Sequence, residues 1–233
     1  GIVSSIMTRD DIFDRESFKN KDFSRIPLCF IRAALALKMV KKMKQSSKKT
    51  ILITEYNPRW AMIYSREKKK IIAAISSKVL AIEHIGSTSV VGLAAKQVSD
   101  IMVGIESFSL TNELIKPLGN IGYKYVPEYE INLPDRRFFH RGPSETTGLP
   151  NRHFHLHIVE KDSEFWVTHL LFRDYLRNHP NVAQEYANLK KRLAIASEGN
   201  INKYCEGKNG FIQKVIRLAK EELANMLKPH AEH

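Results

Sequence analysis

Cysteine is scarce in this chain, and long apolar runs are missing. Cys29 and Cys205 are the only two cysteines among 233 residues, and they lie far apart. That leaves neither a disulfide framework nor a zinc-finger spacing. No stretch reaches the roughly 18 apolar residues that a membrane span needs, and the apolar opening of the chain is too short for the core of a signal peptide. These absences favour a cytoplasmic protein.

Acidic residues are also in the minority, and the imbalance is uneven. The net charge is +12, and residues 1–50 contribute 12 Lys/Arg against 5 Asp/Glu. We predict that 1–50 form a basic, partly helical extension. A basic arm can attract nucleic acid or phosphorylated ligands. The few aromatic residues in this arm make a solvated face a better interpretation than nucleic-acid binding.

The rest of the chain predicts strands in the middle and helices at both ends, which indicates a mixed-sheet α/β (α+β) core with flanking helices and a helical C-terminal layer. We expect one domain over 51–227, followed by a tail over 228–233. The predicted strands are 79–85, 98–105, 123–126, 137–141 and 153–159. The predicted helices are 57–77, 110–118, 165–178, 180–197 and 209–227.

The most informative stretch follows the first predicted strand. Gly86 allows close approach of the backbone to a ligand, and Ser87 and Thr88 add hydroxyls that suit a phosphate. Lys96 adds positive charge, and Asp100 begins the next strand, where a carboxylate can hold a divalent cation. Phosphoryl and nucleotidyl transfer need such groups. A short motif of this kind is also common in a purely structural turn.

This stretch resembles the signature of the GrpB family. The resemblance covers most of 54–215 and rests on several motifs in the same order. They are Glu83-His84-Ile85-Gly86-Ser87-Thr88, Tyr56-x-Pro58-x-Trp60, Asp135-Arg136-Arg137-Phe138-Phe139, His155-Leu156-His157-Ile158-Val159, Phe172-Arg173-Asp174-Tyr175-Leu176-Arg177 and the Tyr186…Leu189-Lys190 helix.

The resemblance implies a nucleotidyltransferase-like fold, because the family is grouped with that superfamily; some members are fused to dephospho-CoA kinase. The superfamily pattern of Gly-Ser, about a dozen residues and a carboxylate is matched by Gly86-Ser87 and Asp100. It implies catalytic roles for Ser87 and Asp100, with Asp100 on Mg²⁺. The second carboxylate of the pattern is replaced by Met102, which removes a ligand used in two-metal catalysis. Val91 and Gln97 stand where the family usually has proline.

Another acid would have to complete such a metal site. Glu128 and Glu130 follow a predicted strand, and Glu160 ends the histidine strand. We take Glu128 as the candidate second ligand, although surface carboxylates are more often simply solvated. Glu83 is a weaker candidate, because we expect strand alternation to turn it away from the Gly-Ser turn.

Histidines and arginines supply further candidates. His153, His155 and His157 alternate, so a strand places all three on one face. They suggest either hydrogen bonds to an anionic substrate, for which we favour His155 and His157, or a zinc site. Arg137 and Arg152 are the candidate anchors for substrate carboxylate or phosphate, and they stand beside the histidine strand.

Three functions therefore remain open. The first is Mg²⁺-dependent nucleotidyl or phosphoryl transfer from a nucleoside triphosphate. The second is non-catalytic binding of a nucleotide or another phosphorylated small molecule, in a domain that has lost the paired carboxylates. The third is a zinc site on the His153/His155/His157 strand. The acceptor, the nucleobase and the oligomeric state are not specified by the sequence.

Overall fold

The computed structural model describes residues 50–131, 133–143 and 153–227. The predicted basic extension, the tail over 228–233 and Arg152 lie outside the described residues. The helices are α1 Arg59–Ile75, α2 Thr111–Asn120, α3 Glu164–Asn178, α4 Pro180–Ala196 and α5 Ile201–Met226. The strands are β1 Ala81–Ile85, β2 Val98–Ile105, β3 Lys124–Tyr125, β4 Arg137–Arg141 and β5 His153–Glu160. No described helix is both long enough and apolar enough to cross a membrane.

The five strands form one mixed sheet in the order β1-β2-β5-β4-β3. The two central strands, β2 and β5, run parallel, and the other neighbours are antiparallel. This confirms the predicted mixed α/β core with flanking helices and a helical C-terminal layer. The register pairs Asp100 with His155 and with Ile85. Residues at paired positions point to the same face of a sheet, so these three side chains share one face.

The two faces of the sheet are covered by different helices. One face buries the main core against α1 and α2, with Ile101, Leu156 and Phe139 all fully buried. On the other face, Trp166 of α3 packs on Met102. Removing apolar surface from water is the main stabilising contribution on both faces.

The C-terminal helices pack on the segment that joins β1 to β2. Val90 and Leu93 of this segment are buried among side chains of α3, α4 and α5, including Leu176, Ala187 and Val215. The Gly-Ser turn therefore lies beside the helical layer, and side chains of α4 and α5 can reach it.

Candidate functional site

The turn after β1 depends on a glycine. Gly86 has φ +69°, a left-handed conformation that costs little only for glycine. A Cβ placed on Gly86 would overlap Oδ2 of Asp100 and lie 3.1 Å from its Cβ. The glycine thus lets the turn pass directly against the Asp100 side chain.

The three hydroxyls of the turn have different partners. Ser87 Oγ accepts a hydrogen bond of 2.8 Å from Lys190 Nζ. Thr88 Oγ1 lies 3.0 Å from Nε2 of His84, and Ser89 Oγ donates to the carbonyl of Gly86 at 2.6 Å. Ser87 and Thr88 both line the adjacent cavity. The predicted phosphate role of Thr88 fits less well than that of Ser87, since the Thr88 hydroxyl is engaged by a buried histidine.

Asp100 is held by histidines of β5. His155 Nδ1 donates to Asp100 Oδ1 at 3.2 Å, and His157 Nε2 lies 3.8 Å from the same oxygen. Burial by itself raises the pKa of Asp100, but the hydrogen bond from His155 and the proximity of His157 outweigh it and hold the pKa well below its usual range. The carboxylate is therefore charged at neutral pH.

Arg136 fixes the protonation state of His157. Arg136 Nη1 lies 2.9 Å from His157 Nδ1. A guanidinium can only donate, so Nδ1 must accept and the proton must be on Nε2, facing Asp100. Burial lowers the pKa of His157 to about 4, against the opposing influence of Asp100. The ring is neutral at neutral pH, in agreement with this arrangement.

The predicted histidine face is confirmed by the register. His153, His155 and His157 pair with Val98, Asp100 and Met102 of β2 and share one side of the sheet. His140 joins them from β4, with its Nε2 3.0 Å from Nδ1 of His153. Burial and neighbouring histidines lower the pKa of both His140 and His153.

A cavity of about 380 Å³ opens between this face and the helical layer. Its walls bring together three of the predicted groups, namely the Gly86–Ser87 turn, the Asp100–His155–His157 cluster and Lys96. The helical layer adds Lys190 and Lys208. The cavity is thus lined by one carboxylate and several cationic side chains, which suits an anionic ligand.

Three lysines line this cavity. Lys190 Nζ bonds to Ser87 Oγ and to the carbonyl of Ala94. Lys96 Nζ and Lys208 Nζ lie 5.4 and 4.6 Å from the centre of the Tyr204 ring. Burial, together with the charges of Lys208 and Lys191, lowers the pKa of Lys190 to about 7. Burial also lowers the pKa of Lys208.

Lys190 and Lys208 were missed as site residues in the sequence. Lys190 is 103 positions from Ser87 and reaches it only through the packing of α4 on the turn. The one local signal is that Lys190 lies four residues after Tyr186, on the same helix face, and both residues are buried.

The structure corrects the choice of arginine. Arg137 does not line the cavity; its guanidinium lies 4.1 Å from the Phe108 ring and bonds to the carbonyl of Pro134. Arg136, just before β4, lines the cavity instead. Adjacent residues of a strand point to opposite faces, and Arg137 pairs with Ile158, which faces away from the histidines.

Each candidate for the second acidic metal ligand is either away from the cavity or hydrogen-bonded to another group. Glu128 is exposed on the short helical turn Pro127–Tyr129 and does not line the cavity, so its predicted pairing with Asp100 is wrong. Glu130 accepts from the amide of Phe138, and Glu160 from the amide of Phe108. Glu83 binds Arg173 at 2.6 Å. In the described part of the chain, no group of three or more His, Cys, Asp or Glu side chains is arranged to hold a metal ion.

A second cavity lies on the other side of the turn. It measures about 500 Å³, and its lining includes Tyr56, Tyr64, His84 and Arg177. Tyr64 stacks on His84 with ring centres 4.5 Å apart. Arg177 donates to the carbonyl of Ser89 at 2.9 Å. Thr88 lines both cavities, so the turn separates them.

A family model described as GrpB protein matches residues 50–218. The UPF0157 protein YqkA of Bacillus subtilis is 36% identical over 74% of this chain and 48% of its own length. The chain therefore spans about half of that relative. The UPF0157 protein BH1888 of Halalkalibacterium halodurans is 31% identical over 73% of this chain and 83% of its own length. A protein named dephospho-CoA kinase, from Mycolicibacterium paratuberculosis, is 25% identical over 76% of this chain and 47% of its own.

One solved structure supports the family match. The crystal structure of conserved protein GrpB from Enterococcus faecalis superposes with a TM-score of 0.65 and 36% identity, covering 74% of this chain and 99% of that one. Cid1 in complex with the UTP analog UMPNPP gives a TM-score of 0.36 with 11% identity, covering 68% of this chain and 48% of that one. The second likeness is too distant to bear on function.

Proposed function

This chain belongs to the GrpB family, and we propose that it binds a phosphorylated small molecule, with nucleotides as the leading class, in the cavity between the sheet and the helical layer. The observation that carries the proposal is that Lys190, Lys96 and Lys208 all line that cavity, with Lys190 bonded to Ser87 at the glycine turn. Ammonium groups and a hydroxyl at a glycine turn are the groups that hold phosphate oxygens.

The rest of the cavity lining favours a polar or aromatic part of the ligand. It includes His155 and His157, and His157 is neutral and oriented by Arg136. Phe172 and Ile212 add apolar surface. A cavity with apolar walls and a few oriented polar groups is typical of small-molecule sites. A ligand with phosphates at one end and a planar or hydroxylated moiety at the other matches this division.

Two-metal catalysis does not fit these residues. Met102 is fully buried at the position of the second carboxylate, and Asp100 Oδ1 already accepts from His155. A single Mg²⁺ ion bound at Asp100 would also lie among the positive charges of the lysines and Arg136, which would repel it. Mg²⁺ therefore has no part in the proposed binding function. A zinc ion on His157 would compete with Arg136, whose donor occupies Nδ1 and leaves the proton on Nε2.

Transfer of a nucleotidyl or phosphoryl group is the second candidate. The observation that favours it is that Asp100 contacts the Gly86 turn and faces the same cavity as Ser87. A charged carboxylate beside a phosphate site is otherwise unfavourable for anion binding, because like charges repel. In a transferase the Asp100 carboxylate would have a role, either as a ligand of a metal ion or as the partner that accepts a hydrogen bond from the group receiving the phosphoryl or nucleotidyl group.

A thermal-shift panel tests the binding proposal. The ligands are the four nucleoside triphosphates, tripolyphosphate and dephospho-CoA, the last because relatives carry the name of its kinase. A ligand at about 100 times its dissociation constant stabilises by about 2.7 kcal/mol, which moves Tm by several degrees in a domain of this size. The variants Ser87→Ala and Lys208→Met should reduce the shift. Lys220→Met is the matched control, because Lys220 is exposed on α5 and does not line the cavity.

Running the panel in EDTA and in Mg²⁺ separates the two candidates. Binding alone predicts shifts that persist in EDTA and are retained or increased in Asp100→Ala, which removes a negative charge. Transfer predicts shifts that need Mg²⁺ and vanish in Asp100→Ala. If no ligand of the panel shifts Tm in either buffer, the phosphorylated-ligand proposal is wrong.

A further inference from the structure

Lys190 is a buried lysine without a carboxylate partner among the described residues. Its residue is 2% exposed, and its Nζ contacts the hydroxyl of Ser87, the carbonyl of Ala94 and, at 4.7 Å, the ring of Tyr186. Among the described residues, no carboxylate lies within ion-pair distance of Nζ. A buried charge without a counter-ion is strongly disfavoured.

The groups around Lys190 make the positive charge still less favourable. Lys208 on α5 and Lys191 on the same helix both oppose its protonation. Lys96 lines the same cavity. Two ammonium groups thus act on Lys190, and a third lines the same cavity.

The remaining ionisable groups do not offset this. Tyr186, on the same helix, and Tyr204, on α5, line the cavity as uncharged groups at neutral pH, because burial raises the pKa of both hydroxyls. Asp100 is the cavity's one carboxylate among the described residues, and its Oδ1 is bonded to His155 while its Oδ2 abuts Gly86. The countercharge that Lys190 lacks must therefore come from a ligand.

We propose that Lys190 is neutral in the free protein and takes up a proton when a phosphate group binds beside Ser87, so that anion binding and protonation are coupled. This inference rests on the phosphorylated-ligand function proposed above and identifies the residue that provides the coupling. A bound phosphate oxygen would face Nζ at the Ser87 hydroxyl and supply the missing negative charge. Neutral Lys190, in turn, avoids an unpaired buried charge in the empty cavity.

The coupling has a definite sign. The free lysine has its pKa lowered to about 7 by burial and by its lysine neighbours. A neighbouring phosphate raises that pKa. Between the two values, one proton is taken up for each ligand bound, and the dissociation constant rises by about tenfold per pH unit. Below about pH 7 the lysine is already charged and contributes no uptake.

Calorimetry with tripolyphosphate in EDTA measures this directly. Titrations at about pH 8.5 in two buffers of different ionisation enthalpy give the number of protons exchanged, and subtracting the number found for Lys190→Met removes any proton that the probe itself exchanges. We expect an uptake of about one proton, and much less at about pH 6. Lys190→Met should bind more weakly and lose the uptake. Lys190→Arg, which stays charged, should bind without uptake. Lys220→Met, at an exposed position of α5 that does not line the cavity, should behave as the wild type.

A second measurement on the free protein keeps the inference independent of the probe. Carbon-13 NMR of the lysine Cε signals, with Lys190 assigned by Lys190→Arg, should show a titration midpoint near neutral pH. A midpoint near that of an ordinary lysine, about 10.4, would overturn the inference. So would tripolyphosphate binding with equal proton uptake in the wild type and Lys190→Met, although the binding function would then stand. If tripolyphosphate binds at neither pH, both the phosphorylated-ligand function and the proton coupling are wrong.

Discussion

The Cα of Gly86 lies against the carboxylate of Asp100, so closely that a Cβ there would overlap Oδ2. This contact joins the end of β1 to the start of β2 and sets the position of the turn relative to the histidines. The Gly-Ser turn and the aspartate therefore form one structural unit, and a substitution at Gly86 or Asp100 should alter the position of the other residue.

Gly86→Ala should destabilise the fold by about 2–4 kcal/mol, because it adds a steric overlap to a left-handed backbone. Gly92 provides the matched control. It has φ +78°, but a Cβ there would meet nothing within 4 Å, so Gly92→Ala should cost about 1 kcal/mol. Urea unfolding of both variants measures the difference. Equal destabilisation would show that the contact with Asp100 adds no strain.

A double-mutant cycle isolates the contact itself. Asp100→Ala removes Oδ2, so Gly86→Ala should be less destabilising in the Asp100→Ala background than in the wild type, by at least about 1 kcal/mol. Additive effects would mean that the backbone conformation alone accounts for the cost.

The tautomers of the β5 histidines follow from their partners. Arg136 donates to Nδ1 of His157, and Asp100 accepts from Nδ1 of His155. Long-range nitrogen-15 spectra should therefore show the Nε2-protonated form for His157 and a protonated Nδ1 for His155. Arg136→Met should release the constraint on His157 and leave His155 unchanged. A protonated Nδ1 on His157 in the wild type would contradict the Arg136 contact.

A buried hydrogen-bonded network links α1 to strand β4 and to Tyr123, which precedes strand β3. Arg141 Nη2 donates to Glu67 Oε2 at 2.7 Å, and the Tyr123 hydroxyl donates to Glu67 Oε1 at 3.0 Å. Glu67→Ala should destabilise by about 3–5 kcal/mol, because it leaves Arg141 buried without a counter-ion. Glu221→Ala, which breaks an exposed pair with Arg217, should change stability by less than about 1 kcal/mol. Chemical denaturation compares the two.

Most of the fold could be predicted from residue patterns, because alternation and helical spacing are local. The five strands and the helices α1 to α4 lie within a few residues of their predicted bounds. The start of α5 is the clear error, since the helix begins at Ile201 rather than at 209. Gly207 and Gly210 lowered its apparent propensity, yet a Cβ at Gly207 would lie 2.5 Å from Leu193 Cδ2. The glycine serves the close approach of α5 to α4. Asn200, which caps the helix by accepting from Asn202 N and Lys203 N, was the overlooked signal.

Only part of the candidate site could be predicted from the same residue patterns. Its sheet side follows from strand alternation and from the spacing of Gly86, Asp100 and the histidines. Its helical side depends on how α4 and α5 dock on the turn, which no short-range pattern encodes. Lys190 reaches Ser87 in this way. Arg136 and Arg137 are adjacent, so a one-residue difference in where β4 begins decides which of them faces the cavity.

The free protein should gain stability as the pH rises above neutral. Lys190 has a folded-state pKa of about 7, below that of an unfolded lysine, so between these values the unfolded chain binds more protons. Stability therefore rises with pH from about 7 to 10, by an amount on the order of a few kcal/mol. Urea unfolding of the wild type and Lys190→Met across this range isolates the contribution, since other groups titrate in both. A constant difference between the two proteins would contradict the buried neutral lysine.

The most direct test of the central claim is a crystal structure of the protein soaked with a non-hydrolysable ATP analogue in EDTA. The account predicts that phosphate oxygens lie within hydrogen-bond distance of Ser87 Oγ and Lys190 Nζ, with Lys208 nearby and the rest of the ligand towards His155. An analogue bound only in the second cavity beside Tyr64 and Arg177, or a cavity that stays empty at saturating analogue, would contradict it.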